Sequence, residues 1–164
     1  MSAILVTSEL DHPLQILKIY LEFLHRGLAD TVFRRITRNV IKALQELLFN
    51  DLLLRQDFTL LGSIRFSQDV SAIQSLINCL MPSTSRILLD MPKLREGVLL
   101  LSLPQTACEG TDSYWEVSKS VYSNKNEAAR TLSRLGIFHL SNTDARMILS
   151  RRIDESLVEQ NSEN

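Results

Sequence analysis

Apolar residues recur along this chain at spacings of three and four, the period of helices with one buried face. The clearest case is residues 58–80. Thr59 is placed to cap a long helix, because its hydroxyl accepts a hydrogen bond from an otherwise unpaired backbone N–H. Gly62, Phe66, Val70, Ile73, Ile77 and Leu80 then fall on one face. A glycine inside a helix costs about 1 kcal/mol relative to alanine. Its place on the apolar face therefore predicts a second helix crossing close by, and the middle of a helical bundle for this stretch.

The remaining elements follow in order. Residues 1–12 read as an irregular tail. Asp11 and Pro13 open a helix in which Leu14, Leu17, Leu21, Leu24 and Leu28 are three or four apart, ending at residues 26–28. Asp30 or Thr31 starts a second, with Phe33, Ile36, Val40, Leu44 and Leu47 (with Leu48) as its buried stripe, running to Leu54 or Arg55. The helix of residues 59–80 follows. A loop carrying Pro82 comes next, with a turn at residues 87–89. Pro92 opens a fourth helix through Leu94, Val98 and Leu101, which Pro104 ends, since the residue before a proline is pushed out of the helical region. Residues 105–113, with Gly110, read as loop. Residues 114–122 form a short helix. Ser123 or Asn124 caps the next, 127–135, which Gly136 closes. Ser141 and Asp144 make a capping-box signal for a last helix through Ile148, Leu149 and Ile153. The expectation is an all-α bundle of about seven helices with no strand. It is organised as a tail (1–12), a long-helix bundle (13–104), short helices packed on it (105–158) and a polar tail (159–164).

Composition supports this reading. Aromatics are only 6% and the chain holds five glycines and four prolines, too little turn material for many strands. A net charge of -1, from 18 basic and 19 acidic residues, demands no nucleic-acid partner. Cys79 and Cys108 read as free thiols in a reducing compartment, Cys79 as a buried structural one. The opening MSAILVTSELDHP lacks the basic region of a signal peptide, and no apolar run is long enough to span a bilayer. A cytoplasmic protein is expected.

Candidate chemistry is sparse. His12, His25 and His139 have no metal-ligand spacing. No phosphate-binding loop, G-x-S-x-G or H-E-x-x-H motif occurs. Asp69, Asp90 and Glu96 lie near apolar stripes, yet no spacing pairs them on one helix face; Asp69 with Arg65 reads as a local ion pair or a bundle-edge bond. The chain is therefore read as non-catalytic, with no cofactor, metal or small-molecule substrate. Arg34, Arg38 and Lys42 are four apart and line one face of the second helix. Such a stripe suits an acidic lipid surface, a nucleic acid or an acidic partner helix, and otherwise is a solvated face. Tyr114 and Trp115 open a short helix after a loop, as partner anchors or as packing for the C-terminal helices.

The order of several short motifs carries more information. LLFNDLLLRQ leads into Phe58-Thr59-x-x-Gly62-x-x-x-Phe66-x-x-Asp69. Then come Pro92-x-Leu94-x-Glu96-Gly97-x-x-Leu100-Leu101-x-Leu103-Pro104, Glu127-Ala128-Ala129-Arg130, Leu135-Gly136-Ile137 and Ala145-Arg146-x-Ile148-Leu149-x-Arg151-Arg152. Over residues 14–152 this resembles the C-terminal region of the RINT/Tip family, its ending being similar to fungal members. These are subunits of the Dsl/NRZ complex, which tethers Golgi-derived vesicles at the endoplasmic reticulum. The resemblance implies stacked helical bundles of the multisubunit tethering (CATCHR) class and no catalysis. It also implies other tether subunits and endoplasmic-reticulum SNAREs as partners, and a place peripheral to that membrane. Family members are several times longer and begin with a coiled coil. Phe58, Gly62, Phe66 and Asp69 match the motif and are read as structural.

Overall fold

In a computed structural model the described residues are 7–80, 90–106 and 112–153. They form seven α-helices and no strand: α1 (Ser8–Gly27), α2 (Asp30–Leu47), α3 (Leu60–Leu80), α4 (Pro92–Leu101), α5 (Tyr114–Ser123), α6 (Lys125–Arg134) and α7 (Asn142–Ser150), with a π-helical turn at Leu48–Leu53 after α2. The protein is all-α, as expected. The expected turn at residues 87–89, Gly110, Cys108 and the polar tail lie outside the described residues. The chain divides into two units, one within Met1–Leu47 and Arg65–Met91, the other within Leu48–Ile64 and Pro92–Asn164.

In the first unit, α1 begins earlier than Asp11 and Pro13 suggested. Residues 8–12 are helical rather than irregular, and Pro13 sits inside the helix. The reason is tertiary. Asp69 of α3 accepts the backbone N–H of Thr7 at 2.9 Å and its hydroxyl at 2.9 Å. This fixes the residue before the first turn, so Asp69 is bonded to Thr7 rather than paired with Arg65. On α2 the buried positions are Phe33, Thr37 and Ile41, whereas Val40 and Leu47 are exposed. The inward stripe thus starts at Phe33 but steps by four to Thr37 and Ile41, through a polar residue that a hydropathy pattern skips. On α3, Val70, Ile73 and Ile77 are buried as predicted, while Phe66 is half-buried and Cys79 is exposed, not a buried thiol.

The second unit is organised on α4. Of its ten residues only Arg95 and Leu99 are exposed. The π-helical turn, in place of a continuous α-helix to residue 54 or 55, brings Leu48, Phe49 and Leu53 inward; the Leu54 N–H reaches back five residues to the Phe49 carbonyl at 3.0 Å. Leu53 meets α4 at Gly97. A Cβ there would collide with Leu53 Cδ2 and lie 3.2 Å from Ile148 Cδ1. The close approach expected at Gly62 is therefore found at Gly97. At Gly62 a Cβ would meet only Thr59 Oγ1 at 3.3 Å, the atom that caps α3 by accepting the Gly62 N–H at 3.1 Å.

The expected caps form: Asn124 caps α6, Gly136 takes the left-handed conformation with φ 75°, and Ser141–Asp144 make a reciprocal capping box. A second box, Ser113–Glu116, opens α5. Phe58 and Arg152 make an isolated parallel bridge: the Phe58 N–H donates to the Arg151 carbonyl at 2.7 Å, and the Ile153 N–H to the Phe58 carbonyl at 2.9 Å. Ile153 thus leaves the last helix for an extended pairing.

Leu53 and Ile148 are both fully buried, and a Cβ at Gly97 meets both. Gly97→Ala should therefore lower stability by about 1–3 kcal/mol, read as the shift of a denaturant midpoint, and Gly62→Ala by much less. Thr37 is 1% exposed and its hydroxyl has no partner. Replacing it by an apolar group of the same shape removes an unsatisfied polar atom, so Thr37→Val should stabilise by about 1 kcal/mol; a loss of that size would show that the hydroxyl is bonded.

Candidate interaction surface

Among the described residues Glu96 is the most enclosed carboxylate. Its side chain is 5% exposed on α4. Oε1 accepts the Phe138 N–H at 3.1 Å, and Oε2 accepts the N–H groups of His139 at 2.8 Å and Leu140 at 3.1 Å. His139 Nδ1 lies 2.6 Å from Oε1. An ionised carboxylate only accepts, so that nitrogen carries the hydrogen. Burial alone would push the Glu96 carboxyl up. The His139 ring, then the N–H groups of Phe138 and His139, and the charge of His139 outweigh burial and hold it below its ordinary value of 4.5.

With both oxygens occupied, Glu96 is a lock on the loop from α6 to α7, not a free acid or base. Among the described residues no nucleophile is bonded to His139, and no group of three His, Cys, Asp or Glu residues is placed to hold a metal ion. Asp90 accepts the N–H of its neighbour Met91 at 2.9 Å.

Surfaces offer more than clefts. On α1, Ile16, Ile19, Tyr20 and Phe23 are 39%, 64%, 64% and 73% exposed. They stand at i, i+3, i+4 and i+7, one stripe about two turns long. The leucine series found in the sequence is the inward half of this helix; Leu21 is buried and Leu14, Leu17, Leu24 and Leu28 are half-buried. The apolar arc therefore runs well beyond the roughly 100° that a surface helix needs for its core side. The outward half carries the same spacing, which a pattern for a single buried face does not register.

The basic stripe of α2 is less uniform than its spacing. Arg34 Nη2 lies 3.4 Å from Asp30, whereas Arg38 and Lys42 are exposed. Of the motif residues, Asp69 is buried and bonded to Thr7, Gly62 and Phe66 are half-buried, and Phe58 is tied through its backbone to the end of α7. Tyr114 is buried, its hydroxyl donating to the Leu149 carbonyl at 2.6 Å, but its neighbour Trp115 is 58% exposed.

The profile of the RINT-1/TIP-1 family matches residues 2–152, a span that includes all seven helices. The chain belongs to the RINT-1/TIP-1 family. This is a family of vesicle-tethering subunits in retrograde transport, which work within a complex of partner subunits, and it is not known for catalysis. No curated protein and no solved structure matches the chain. Among the described residues no helix is long and apolar enough to cross a membrane.

The Glu96 lock has a pH signature. A carboxyl held low in the folded state stabilises the fold above its ordinary value of 4.5 and loses that contribution as the pH falls through the lower, folded value. Glu96→Gln should cost about 1.5–3 kcal/mol at pH 7. The gap between variant and wild type should narrow below pH 4.5. A gap independent of pH in parallel urea titrations would show that the charge of Glu96 is not what holds the loop.

Proposed function

We propose that this protein is a non-catalytic module of a vesicle tether in Golgi-to-endoplasmic-reticulum retrograde transport. It works through contacts with other subunits of a Dsl/NRZ-type complex and with endoplasmic-reticulum SNAREs, and those partners hold it at the cytoplasmic side of that membrane. Phe58, Gly62, Phe66 and Asp69 serve the fold in this reading, and the cations Arg38 and Lys42, with Arg34, are a secondary partner face.

The observation that carries the reading is the exposed stripe Ile16, Ile19, Tyr20 and Phe23 in a member of a family whose subunits act in complexes. Contiguous exposed apolar patches mark interaction sites. The i, i+3, i+4, i+7 arrangement fits a helix laid along α1, and a neighbouring tether subunit is the partner the family supplies.

Purified protein mixed with recombinant tether subunits and with the cytosolic parts of endoplasmic-reticulum SNAREs should retain at least one tether subunit. Ile19→Asp combined with Phe23→Asp should weaken that retention by about tenfold or more while helix content by circular dichroism is unchanged, since both side chains are exposed. Recovery of neither subunit nor SNARE by the wild type would overturn the proposal.

A further inference from the structure

A second surface has different chemistry. On α5, Trp115, Lys119 and Tyr122 stand at i, i+4 and i+7 on one exposed flank, spanning about 10 Å. Trp115 is 58% and Tyr122 48% exposed. The Tyr122 hydroxyl donates to the Arg146 carbonyl of α7 at 2.8 Å, and the Arg146 guanidinium lies 5.8 Å from the Tyr122 ring centre. Arg146 is held in place from behind, its Nε donating to the Val121 carbonyl at 2.9 Å. Arg146 is half-buried, and its terminal nitrogens have no carboxylate partner among the described residues. A guanidinium fixed in this way presents a fork that matches a carboxylate.

The charges around this strip are one-sided. Residues 112–153 contain four carboxylates, and each is already engaged: Asp112 with Arg134 at 2.8 Å, Glu116 and Asp144 in capping boxes, and Glu127 with the Asn124 cap. None of them forms an ion pair with Lys119 or Arg146. Among the described residues the strip thus combines two exposed aromatics with two cations lacking a counter-charge, the composition of interface anchors. Among the described residues there is no strand whose edge an extended peptide could join. Side-chain ridges on neighbouring helices favour a helix as the complementary shape.

We infer that the strip formed by Trp115, Lys119, Tyr122 and Arg146 docks an acidic amphipathic helix of a partner protein. Apolar side chains of that helix cover the Trp115 and Tyr122 rings, and its carboxylates meet Arg146 and Lys119. The inference rests on the tether reading only in taking a protein as the partner.

Trp115 is the single tryptophan of the chain, so its fluorescence reports on this strip alone. The probe is a set of helix-forming peptides with leucines at i, i+3, i+4 and i+7 flanked by glutamates; the controls are the same peptides with lysines for the glutamates, and phosphatidylcholine vesicles containing phosphatidylserine. The glutamate peptides should shift the emission to the blue, with an affinity that falls as salt is raised. Lys119→Glu and Arg146→Gln should each weaken that binding by about tenfold with the melting midpoint of Lys119→Glu unchanged. No shift with any glutamate peptide, an equal shift with the lysine peptides, or a shift only with the vesicles would overturn the inference. No tether subunit enters this assay, so its failure leaves the reading of the chain as a tether module to be judged on subunit retention, and the reverse holds too.

Discussion

A buried carboxylate ties the second unit together. Glu96 projects from a helix with almost no exposed surface and gathers three consecutive backbone N–H groups and one ring nitrogen of the α6–α7 loop. Taking a charge out of water is costly unless it is hydrogen-bonded on every side, and these partners satisfy both oxygens. The next residue, Gly97, leaves the gap that Leu53 and Ile148 fill. Two adjacent positions on α4 therefore set where the loop sits and how closely the π-helical turn and α7 approach.

The same economy holds at the end of α7. Ala145, Ile148 and Leu149 are buried, while the arginines around them bind carbonyls elsewhere in the unit. Arg151 Nε donates to Leu54 O at 2.9 Å, and Arg152 Nη1 donates to the Leu101 and Leu103 carbonyls beneath the Tyr114 ring, whose centre is 4.6 Å from the guanidinium. Carbonyls left over at helix ends need donors, and long cationic side chains reach them. The motifs Glu96-Gly97 and Ala145-Arg146-x-Ile148-Leu149-x-Arg151-Arg152 thus have a structural explanation.

What remains outside the core has two distinct chemistries, each on its own unit. The α1 stripe is apolar, suited to a partner helix that gains mainly by burial. The α5–α7 strip is aromatic and cationic, suited to a partner chosen by charge. The family works within a complex of partner subunits, and both faces carry exposed aromatic or aliphatic side chains.

The sequence by itself determined the helical class, most helix positions and the caps, because period, capping boxes and the Gly136 turn are local properties of a few neighbouring residues. It also held the motif order that identifies the family, and the spacing of Ile16, Ile19, Tyr20 and Phe23. Only the tertiary structure decided what distant residues do to one another. Asp69 reaches Thr7 and moves the start of α1 ahead of Pro13; Thr37 rather than Val40 turns inward; the close helix contact falls on Gly97, with nothing but a cap at Gly62. Cys79, apolar by neighbourhood, ends outside. Glu96 looked like one acid among several until the α6–α7 loop closed over it. Each of these depends on which face meets a partner far away in the chain, and no local period encodes that choice.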